Sequence, residues 1–314
     1  MPHPKVFIII LNWNGLKDTL ECLESVFKLD YPNFEVIVVD NGSTDNSVEV
    51  IRKAYPQVIL IENKKNLGYA EGNNVGIRYA LKHGADYVWL LNNDTVVDAD
   101  ALKNLVKVAE KNENVGILGS KIYYYDKPNI ICFAGATIDW EKGTSPHIGD
   151  GEIDKGQYDA IKEVDRVTGC SMLVKKEVCE TIGLLDENFF LYVEEVDWCV
   201  RAKKAGFKCM IVPDSKVYHK ISISVKKISN FYKTYYMNRN FLYLIKKNHS
   251  FPIREKLILK FIFSKIKYQK RSIAKLILSK FFSNLKLDPH DLSILFAIKD
   301  FLMNKKGKVN HQTF

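Results

Sequence analysis

The sequence predicts an α/β fold in which helices cover both faces of a mostly parallel central sheet. Over the first 120 residues, short apolar runs rich in β-branched residues alternate with helical patterns, as expected for repeated strand–helix–strand units. The chain has 314 residues and 46% hydrophobic content, which is enough to bury one large core or two modest ones. This composition excludes a disordered or fibrous protein.

The element pattern of the first part of the chain places the candidate loops. Strands are predicted at residues 5–11, 34–39, 58–62, 87–91 and 116–120. Helices are predicted at residues 16–27, 46–54, 70–82 and 99–110, with Asp98 as the N-cap of the last. Ligands of such sheets bind beyond the carboxyl ends of the strands. A site is therefore expected in the loops at residues 12–15, 40–45, 63–74 and 92–98.

The second part of the chain is less regular. Residues 122–165 are rich in Gly, Asp and Lys and predict a surface excursion or hairpin that borders a substrate site. Regular patterns then return, with strands predicted at residues 164–174, 207–212 and 216–219. Helices are predicted at residues 176–182 and 194–205, and Gly206 ends the second one.

Charge divides the chain into an acidic body and a basic tail. Residues 1–220 carry 26 Lys and Arg against 33 Asp and Glu, a net −7, whereas residues 221–314 carry 20 against 4, a net +16. The tail predicts helices at residues 231–247, 254–282 and 289–303, with lysines among Phe, Ile and Leu. We expect this tail to lie in an anionic membrane interface. The alternative is a helical subdomain that packs on the core, and nucleic acid is not expected because no binding motif accompanies the charge.

Cysteine usage and apolar runs bear on the location of the protein. The six cysteines are scattered without a Cys-x-x-Cys pair and are interpreted as reduced thiols of a cytosolic protein. The start of the chain lacks a signal-peptide pattern, and no run of about 18 apolar residues predicts a transmembrane helix. We therefore expect a cytoplasmic protein that is peripheral on the inner face of the cell membrane.

Two polar loops have the composition of a nucleotide site. Residues 40–45 (Asp-Asn-Gly-Ser-Thr-Asp) follow the second strand directly, where the Asp40 carboxylate can bind a pyrimidine base or ribose. Residues 66–76 contain Asn66, Gly68 and Asn73 at the start of a helix, where glycine admits close backbone approach and the helix N-terminus attracts phosphate. The spacing matches neither the dinucleotide fingerprint nor the P-loop. The 40–45 loop alone is equally well explained as a capped turn without a ligand.

A third loop, Asn92-Asn93-Asp94, ends the fourth strand. A carboxylate at this point can bind a hard divalent cation through oxygen, and the phosphates of a ligand would complete the coordination shell. Such a cation would offset the repulsion between a diphosphate and the acidic body. The alternative interpretation is a turn-forming Asp.

The remaining candidates are a carboxylate cluster and a histidine. Glu194, Glu195 and Asp197 lie within four residues beside aromatic side chains, so burial and like charge can raise the pKa of a general base. Acidic enrichment of a first helical turn explains the same pattern. His219 ends a predicted strand and is either a metal ligand or a structural histidine.

Taken together, these motifs resemble family 2 of the inverting glycosyltransferases, which have the GT-A fold, and within it the rhamnosyltransferase-like branch. The resemblance spans roughly residues 5–245. Besides the motifs above, it includes Ile8 to Gly15, Thr168-Gly169-Cys170 and the segment from Gly183 to Phe190. It implies a GT-A catalytic domain at residues 1–220, with a nucleotide-sugar-binding half (1–120) and an acceptor half (121–220), and a basic helical region at residues 221–314.

The resemblance also implies an activity and site residues. The donor would be a dTDP-, UDP- or GDP-sugar and the acceptor a saccharide or lipid-linked hydroxyl in surface polysaccharide synthesis. The implied nucleotide-sugar-binding residues are Asn12, Asn14, Asp40, Asn66, Gly68, Asn73, Asn92 and Asn93. Asp94 and His219 would bind Mg²⁺ or Mn²⁺. Glu195 would be the catalytic base, with Glu194 and Asp197 as alternatives.

The sequence departs from the family pattern at two positions. Asn92 replaces the first acid of the D-x-D metal motif, and the base position holds Glu rather than Asp. Two other functions stay open. A non-catalytic GT-A scaffold would fit the loss of the first acid. A sugar nucleotidyltransferase would need a basic Gly-rich loop after the first strand, where this chain has only residues 12–15.

Overall fold

The computed structural model describes residues 3–220, 230–268 and 289–309. Its strands are β1 Val6–Asn12, β2 Phe34–Asp40, β3 Ile59–Glu62, β4 Tyr87–Asn92, β5 Thr95–Val97, β6 Val115–Tyr124, β7 Lys127–Phe133, β8 Lys162–Glu163, β9 Ser171–Lys175 and β10 Lys208–His219. Its helices are α1 Leu16–Val26, α2 Ser47–Ala54, α3 Gly68–Lys82, α4 Ala101–Glu110, α5 Lys176–Ile182, α6 Glu194–Lys204, α7 Asn230–Asn248, α8 Ile253–Tyr268 and α9 Pro289–Leu302.

One sheet runs through the body in the order β3-β2-β1-β4-β9-β6-β10-β5, with β7 beside β6 and β8 beside β10. The predicted parallel arrangement is confirmed for β3, β2, β1 and β4. Strand β9 then runs antiparallel between β4 and β6, whereas β10 is parallel to β6. Because β1, β2 and β4 are parallel and in register, their carboxyl ends bring Asn12, Asp40 and Asn92 to one edge.

Close packing of α3 on the sheet explains two glycines of the 66–76 loop. A Cβ atom on Gly72 would lie 2.7 Å from Leu11 Cδ1, and one on Gly76 would lie 2.7 Å from Ile9 Cγ2. Larger residues would push the helix off β1, which is buried along its apolar run. These glycines therefore serve helix–sheet contact.

Three predicted boundaries were wrong. The strand predicted at residues 164–174 begins only at Ser171. The preceding apolar residues form a buried loop, in which Val167 packs against Gly119 and the amide of Val164 donates to the carbonyl of Cys209. The two strands predicted at residues 207–219 are one strand with a register irregularity around Pro213, which has no amide hydrogen to pair. Helix α4 has Asp100 as its N-cap residue, and Asp98 instead accepts a bond from the amide of Asp100 at 3.2 Å.

The described C-terminal helices pack on the body. The ring of Phe241 on α7 stacks on Phe261 of α8 at 6.1 Å, and Tyr243 meets Phe301 of α9 edge-on at 5.2 Å. Both pairs belong to a cluster that also contains Phe189 and other residues next to α6. This packing of α7 is what the alternative interpretation of the tail, a helical subdomain that packs on the core, predicts. Residues 269–282 of the predicted long basic helix lie outside the described residues.

All six cysteines are buried and free. Within the described ranges, no helix combines the length and the apolar character needed to cross a membrane.

Candidate functional site

The ends of β1 and β2 meet in a hydrogen-bonded corner around Asp40. Asn12 donates from Nδ2 to Asp40 Oδ1 at 2.9 Å, and its Oδ1 accepts from Thr19 Oγ1 at 2.9 Å. The other oxygen of Asp40 accepts from the amide of Ser43 at 2.9 Å. The buried Asn12 side chain therefore orients Asp40, whereas we expected it to contact a ligand directly. Asp40 is also covered, at 2% exposure.

Asn14 ties the loop after β1 to the loop after β2. Its Oδ1 accepts from the amides of Thr44 at 2.7 Å and Asp45 at 3.3 Å. Its own backbone is left-handed, with φ of 52°, a conformation that Asn tolerates better than most residues. The backbone amide of Asn14 donates to Ser43 Oγ at 2.9 Å, and the amide of Ser43 donates to Asp40, so Ser43 links the two loops.

In the 66–76 loop, Gly68 and Asn73 make close contacts within the protein. Asn66 Oδ1 accepts from the amide of Gly68 at 2.8 Å, and a Cβ atom on Gly68 would lie 2.3 Å from the carbonyl oxygen of Phe190. Gly68 therefore admits the segment that leads to α6, where we expected it to admit a nucleotide. Asn73 is buried and donates to the carbonyl of Tyr69 within its own helix at 2.9 Å.

Asp94 and His219 lie in direct contact. His219 Nε2 is 3.1 Å from Asp94 Oδ1, and the antiparallel pairing of β5 with β10 sets this distance by placing His219 opposite Thr95. Burial opposes a positive charge on His219, but the interactions with Cys170, Asp94 and Cys132 outweigh it and hold its pKa well above the usual range. Nearby, Asn93 donates to Thr19 Oγ1 at 3.0 Å, and Asn92 is half-buried.

The donor set fits a cation that is shared with a ligand. Asp94 supplies a carboxylate and His219 an imidazole, and the amide oxygens of Asn92 and Asn93 are neighbours in sequence. Among the residues that the structure describes, no group of three His, Cys, Asp or Glu side chains is placed to hold a metal ion alone. A Mg²⁺ or Mn²⁺ ion here would take further oxygen ligands from another molecule, as these hard ions do from phosphates.

Glu194 and Glu195 have different surroundings. Glu194 is 3% exposed, and its Oε2 has no hydrogen-bond partner within the described part of the chain. Burial, together with the charge of Glu195, raises the pKa of Glu194 well above its usual range. Glu195 is more exposed, at 17% of its side chain, and its Oε1 lies 3.7 Å from Nη1 of Arg166. These surroundings favour a neutral Glu194, whereas Glu195 has a cation beside it.

Arg166 is a site residue that the sequence reasoning missed. Its guanidinium is buried and donates from Nε to Ser145 Oγ at 2.7 Å and from Nη2 to the carbonyl of Ser145 at 3.0 Å. The irregular 122–165 segment therefore supplies the residue that fixes the cation beside Glu195. Arg166 fell within the strand predicted at residues 164–174, and no local pattern marked it as a site residue.

Asp197 does not join the other two carboxylates. It is fully buried and accepts from Arg201 Nε at 2.7 Å, from Lys247 Nζ at 2.9 Å and from Asn248 Nδ2 at 3.2 Å. These bonds join α6 to α7. Both oxygens of Asp197 are thus occupied by side chains of the protein, which favours a structural role over the alternative catalytic role considered for it.

Tyr69 lies between the segment ahead of Glu194 and the strand end ahead of Asp94. Its amide donates to the carbonyl of Phe190 at 2.7 Å, and its hydroxyl donates to the carbonyl of Gly169 at 2.7 Å. The next carbonyl along the chain, that of Cys170, accepts from the amide of Asn92 at 3.0 Å. Burial raises the pKa of Tyr69 well above its usual range, and the charges of Glu194, Glu195 and Asp94 add to this effect.

Comparison with known proteins is consistent with this geometry. Residues 7–182, more than half of the chain, match the family described as Glycosyl transferase family 2. The chain belongs to this family. The matched segment of this family 2 glycosyltransferase includes Asp40 and Asp94 and ends before Glu195.

Two relatives cover most of the glycosyltransferase. It is 29% identical over 254 residues to the dTDP-rhamnosyl transferase RfbF of Shigella flexneri, covering 79% of this chain and 82% of the relative. It is 26% identical over 239 residues to the low-salt glycan biosynthesis hexosyltransferase Agl10 of Haloferax volcanii, covering 74% and 73%. The resemblance to family 2, and with it a transferase activity, is confirmed.

Solved structures confirm the fold of the glycosyltransferase. The mannosyltransferase PcManGT from Pyrobaculum calidifontis, in complex with GDP-Man and Mn²⁺, aligns with a TM-score of 0.60 at 16% identity, covering 97% of this chain and 89% of that one. Staphylococcus aureus TarS 1-349 in complex with UDP-GlcNAc aligns with a TM-score of 0.59 at 16% identity, covering 96% and 81%. The central sheet with its helices is a GT-A fold with additional C-terminal helices.

Proposed function

We propose that this glycosyltransferase transfers rhamnose or a similar hexose from a nucleotide-diphosphate donor to a hydroxyl of a saccharide or lipid-linked acceptor, with inversion at the anomeric carbon. The observation that carries the proposal is the position of Tyr69, whose amide bonds the Phe190 carbonyl ahead of Glu195 and whose hydroxyl bonds the Gly169 carbonyl beside the strand end that leads to Asp94. A donor diphosphate and an acceptor hydroxyl must be close together for one displacement, and these two carboxylates would serve one each. The names of the relatives support rhamnose or another hexose in polysaccharide synthesis.

Glu195 is proposed to act as the general base. Its carboxylate takes the proton of the acceptor hydroxyl while that oxygen bonds to the anomeric carbon, and the bond from this carbon to the diphosphate oxygen breaks on the opposite face. Arg166 and its bonds to Ser145 hold the carboxylate in place. Glu194 keeps its proton, so only one of the two neighbouring acids is available as a base.

The donor is proposed to bind along the edge formed by β1, β2 and β4. Asp40, oriented by Asn12, would meet the nucleoside, while the half-buried Asn14, Asn66, Asn92 and Asn93 border the same edge. Asp94 and His219 would hold Mg²⁺ or Mn²⁺. When bound, this cation would neutralise charge on the departing diphosphate.

An anionic membrane at the cytoplasmic face is the proposed partner surface. Exposed apolar residues stand on and just before α8, namely Phe251 (74% exposed), Ile253 (55%), Leu259 (53%) and Phe263 (67%). The exposed Lys256 lies among them, which suits an anionic interface. The face differs from the expected one, because Leu257 and Phe261 pack inward and Lys260 pairs with Glu141.

A panel of dTDP-, UDP- and GDP-sugars, with Mg²⁺ or Mn²⁺ and candidate oligosaccharide acceptors, tests the proposal. We expect metal-dependent release of the nucleoside diphosphate with at least one donor, and a product of inverted configuration by NMR. Retention of configuration would contradict the single displacement. A protein that neither binds nor consumes any donor of the panel would contradict the proposed function.

A further inference from the structure

The segment that precedes α6 carries Glu194 and Glu195 and has an unusual backbone. Phe190, Tyr192 and Val193 have φ angles of 64°, 66° and 77°. Bulky and β-branched residues rarely adopt positive φ, and such a conformation persists only where the surroundings impose it. The position of Glu195 therefore depends on whatever holds residues 189–193.

Asn240 of α7 holds this segment from one side. Its side chain is fully buried, and Nδ2 lies within 2.9 Å, 2.9 Å and 2.7 Å of the carbonyl oxygens of Phe189, Leu191 and Tyr192. An amide nitrogen has two hydrogens, so the three carbonyls share them through a three-centre bond. One side chain thus satisfies most of the carbonyls of the segment.

Arg239 fixes the orientation of Asn240. It is fully buried and donates to Asn240 Oδ1 from Nε at 3.0 Å and from Nη2 at 2.8 Å. It also donates from Nη2 to the Phe189 carbonyl at 3.2 Å and from Nη1 to the Gly307 carbonyl at 2.9 Å. Because Oδ1 accepts from Arg239, the amide must point its hydrogens at the segment.

The other side of the segment rests on α3. The Phe190 carbonyl accepts from the amide of Tyr69 at 2.7 Å, next to the close contact with Gly68. Residues 189–193 are therefore clamped between the first turn of α3 and the middle of α7. On the α3 side, Gly68 is one of the predicted site residues. On the α7 side, Arg239 and Asn240 lie in the tail, outside the predicted catalytic domain.

We propose that Asn240, oriented by Arg239, is a positioning residue for the transfer reaction. It sets the left-handed backbone of residues 189–193 and thereby the place of Glu195 relative to Asp94. This inference rests on the proposed role of Glu195. It assigns to the C-terminal helical region a part in placing the catalytic base, in addition to any contact with a membrane.

The variant Asn240→Ala tests the proposal against the matched control Asn248→Ala. Asn248 lies on the same helix and is also buried, but its Nδ2 bonds Asp197 and the Leu244 carbonyl and does not reach the segment. We expect Asn240→Ala to lower kcat about 10- to 100-fold with little change in the KM of the donor, since small displacements of a reacting group have effects of this size. The control should lose a comparable amount of thermal stability and keep kcat within about two-fold.

Equal losses of kcat in the two variants, or full kcat in Asn240→Ala, would overturn the proposal. If Asn240→Ala does not fold, Asn240→Asp takes its place, because it keeps the shape and the acceptor for Arg239 and removes the N–H donors. It is judged by the same comparison of kcat and KM.

Hydrogen exchange gives a measurement that does not depend on activity. Amides of residues 187–196 should exchange faster in the Asn240 variant than in wild type or Asn248→Ala. Unchanged exchange would reject the clamp itself. Faster exchange in a protein that transfers no sugar would keep the clamp and instead reject the proposed function.

Discussion

His219 Nε2 lies 3.1 Å from Asp94 Oδ1, although 125 positions separate the two residues in the sequence. The contact follows from the short strand β5, which turns back after the Asn92-Asn93-Asp94 loop and pairs with the end of β10. In the sequence, the loop and the histidine stand at the ends of two different predicted strands. Their contact is what a shared cation would require.

Replacing Asp94 by Ala should abolish metal-dependent binding of the donor. The variant loses the carboxylate at the expected metal position, so a nucleoside diphosphate should no longer stabilise the protein more in Mn²⁺ than in EDTA. Thermal unfolding with and without metal measures this difference, because a ligand stabilises in proportion to ln(1 + [L]/Kd). Asp98→Ala is the control, since Asp98 bonds a backbone amide in the next turn. The same metal-dependent shift in both variants would refute the metal assignment.

Replacing Glu195 by Gln should remove the base and leave the donor site intact. General base catalysis contributes about 10²- to 10⁴-fold, so kcat should fall within that range while the KM of the donor changes little. Steady-state kinetics with saturating acceptor checks this. Near-wild-type turnover by the variant would show that another group takes the proton.

Glu194→Gln is expected to keep its activity, unlike Glu195→Gln. The pKa of Glu194 is raised in the folded protein, so the folded state binds the proton more tightly than the unfolded chain, whose value is near 4.5. The stability contributed by the protonated form is complete below that pH and is lost as pH rises toward the folded pKa. Gln mimics the neutral acid, so the variant should keep its kcat and lose less melting temperature than wild type between pH 4.5 and 8. A large loss of activity would instead mark Glu194 as the base.

Much of the fold followed from local patterns, and so did the location of the site. The runs that became β1, β2 and β4 are apolar because both sheet faces are covered, and parallel strands necessarily bring their following loops together. The helix predicted at residues 176–182 has those bounds in the structure. Asp94 and Glu195 can both be predicted as site residues from the sequence.

The rest of the site depends on contacts that leave no local pattern. Arg166 and Asn240 are single polar residues whose partners lie 29 and about 50 positions away. Gly68 and Asn73 were predicted to bind a ligand because Gly and Asn are typical of ligand-binding loops. A buried loop uses the same residues, because Gly allows another backbone segment to approach closely and Asn forms hydrogen bonds with backbone carbonyls. Composition alone does not distinguish the two uses.

Membrane binding should depend on the exposed apolar residues of α8. The double variant Leu259→Ser/Phe263→Ser should float less with liposomes that contain anionic lipid at low salt, because it removes apolar area from the interface without changing charge. Ile153→Ser/Ile161→Ser is the control, since both isoleucines are about half exposed on the acidic body. Equal flotation of both variants would exclude α8 as the contact, and failure of the wild type to float would exclude membrane binding.

The bonds from Arg239 and Asn240 to residues 189–192 have a practical consequence for dividing this chain. A protein cut after β10 would retain Asp40, Asp94, Glu195 and His219 and would still lack the support under its base. Chimeras that exchange tails between related enzymes would face the same problem at residue 220. The smallest piece worth testing for activity therefore extends through α7 and the residues that cover it.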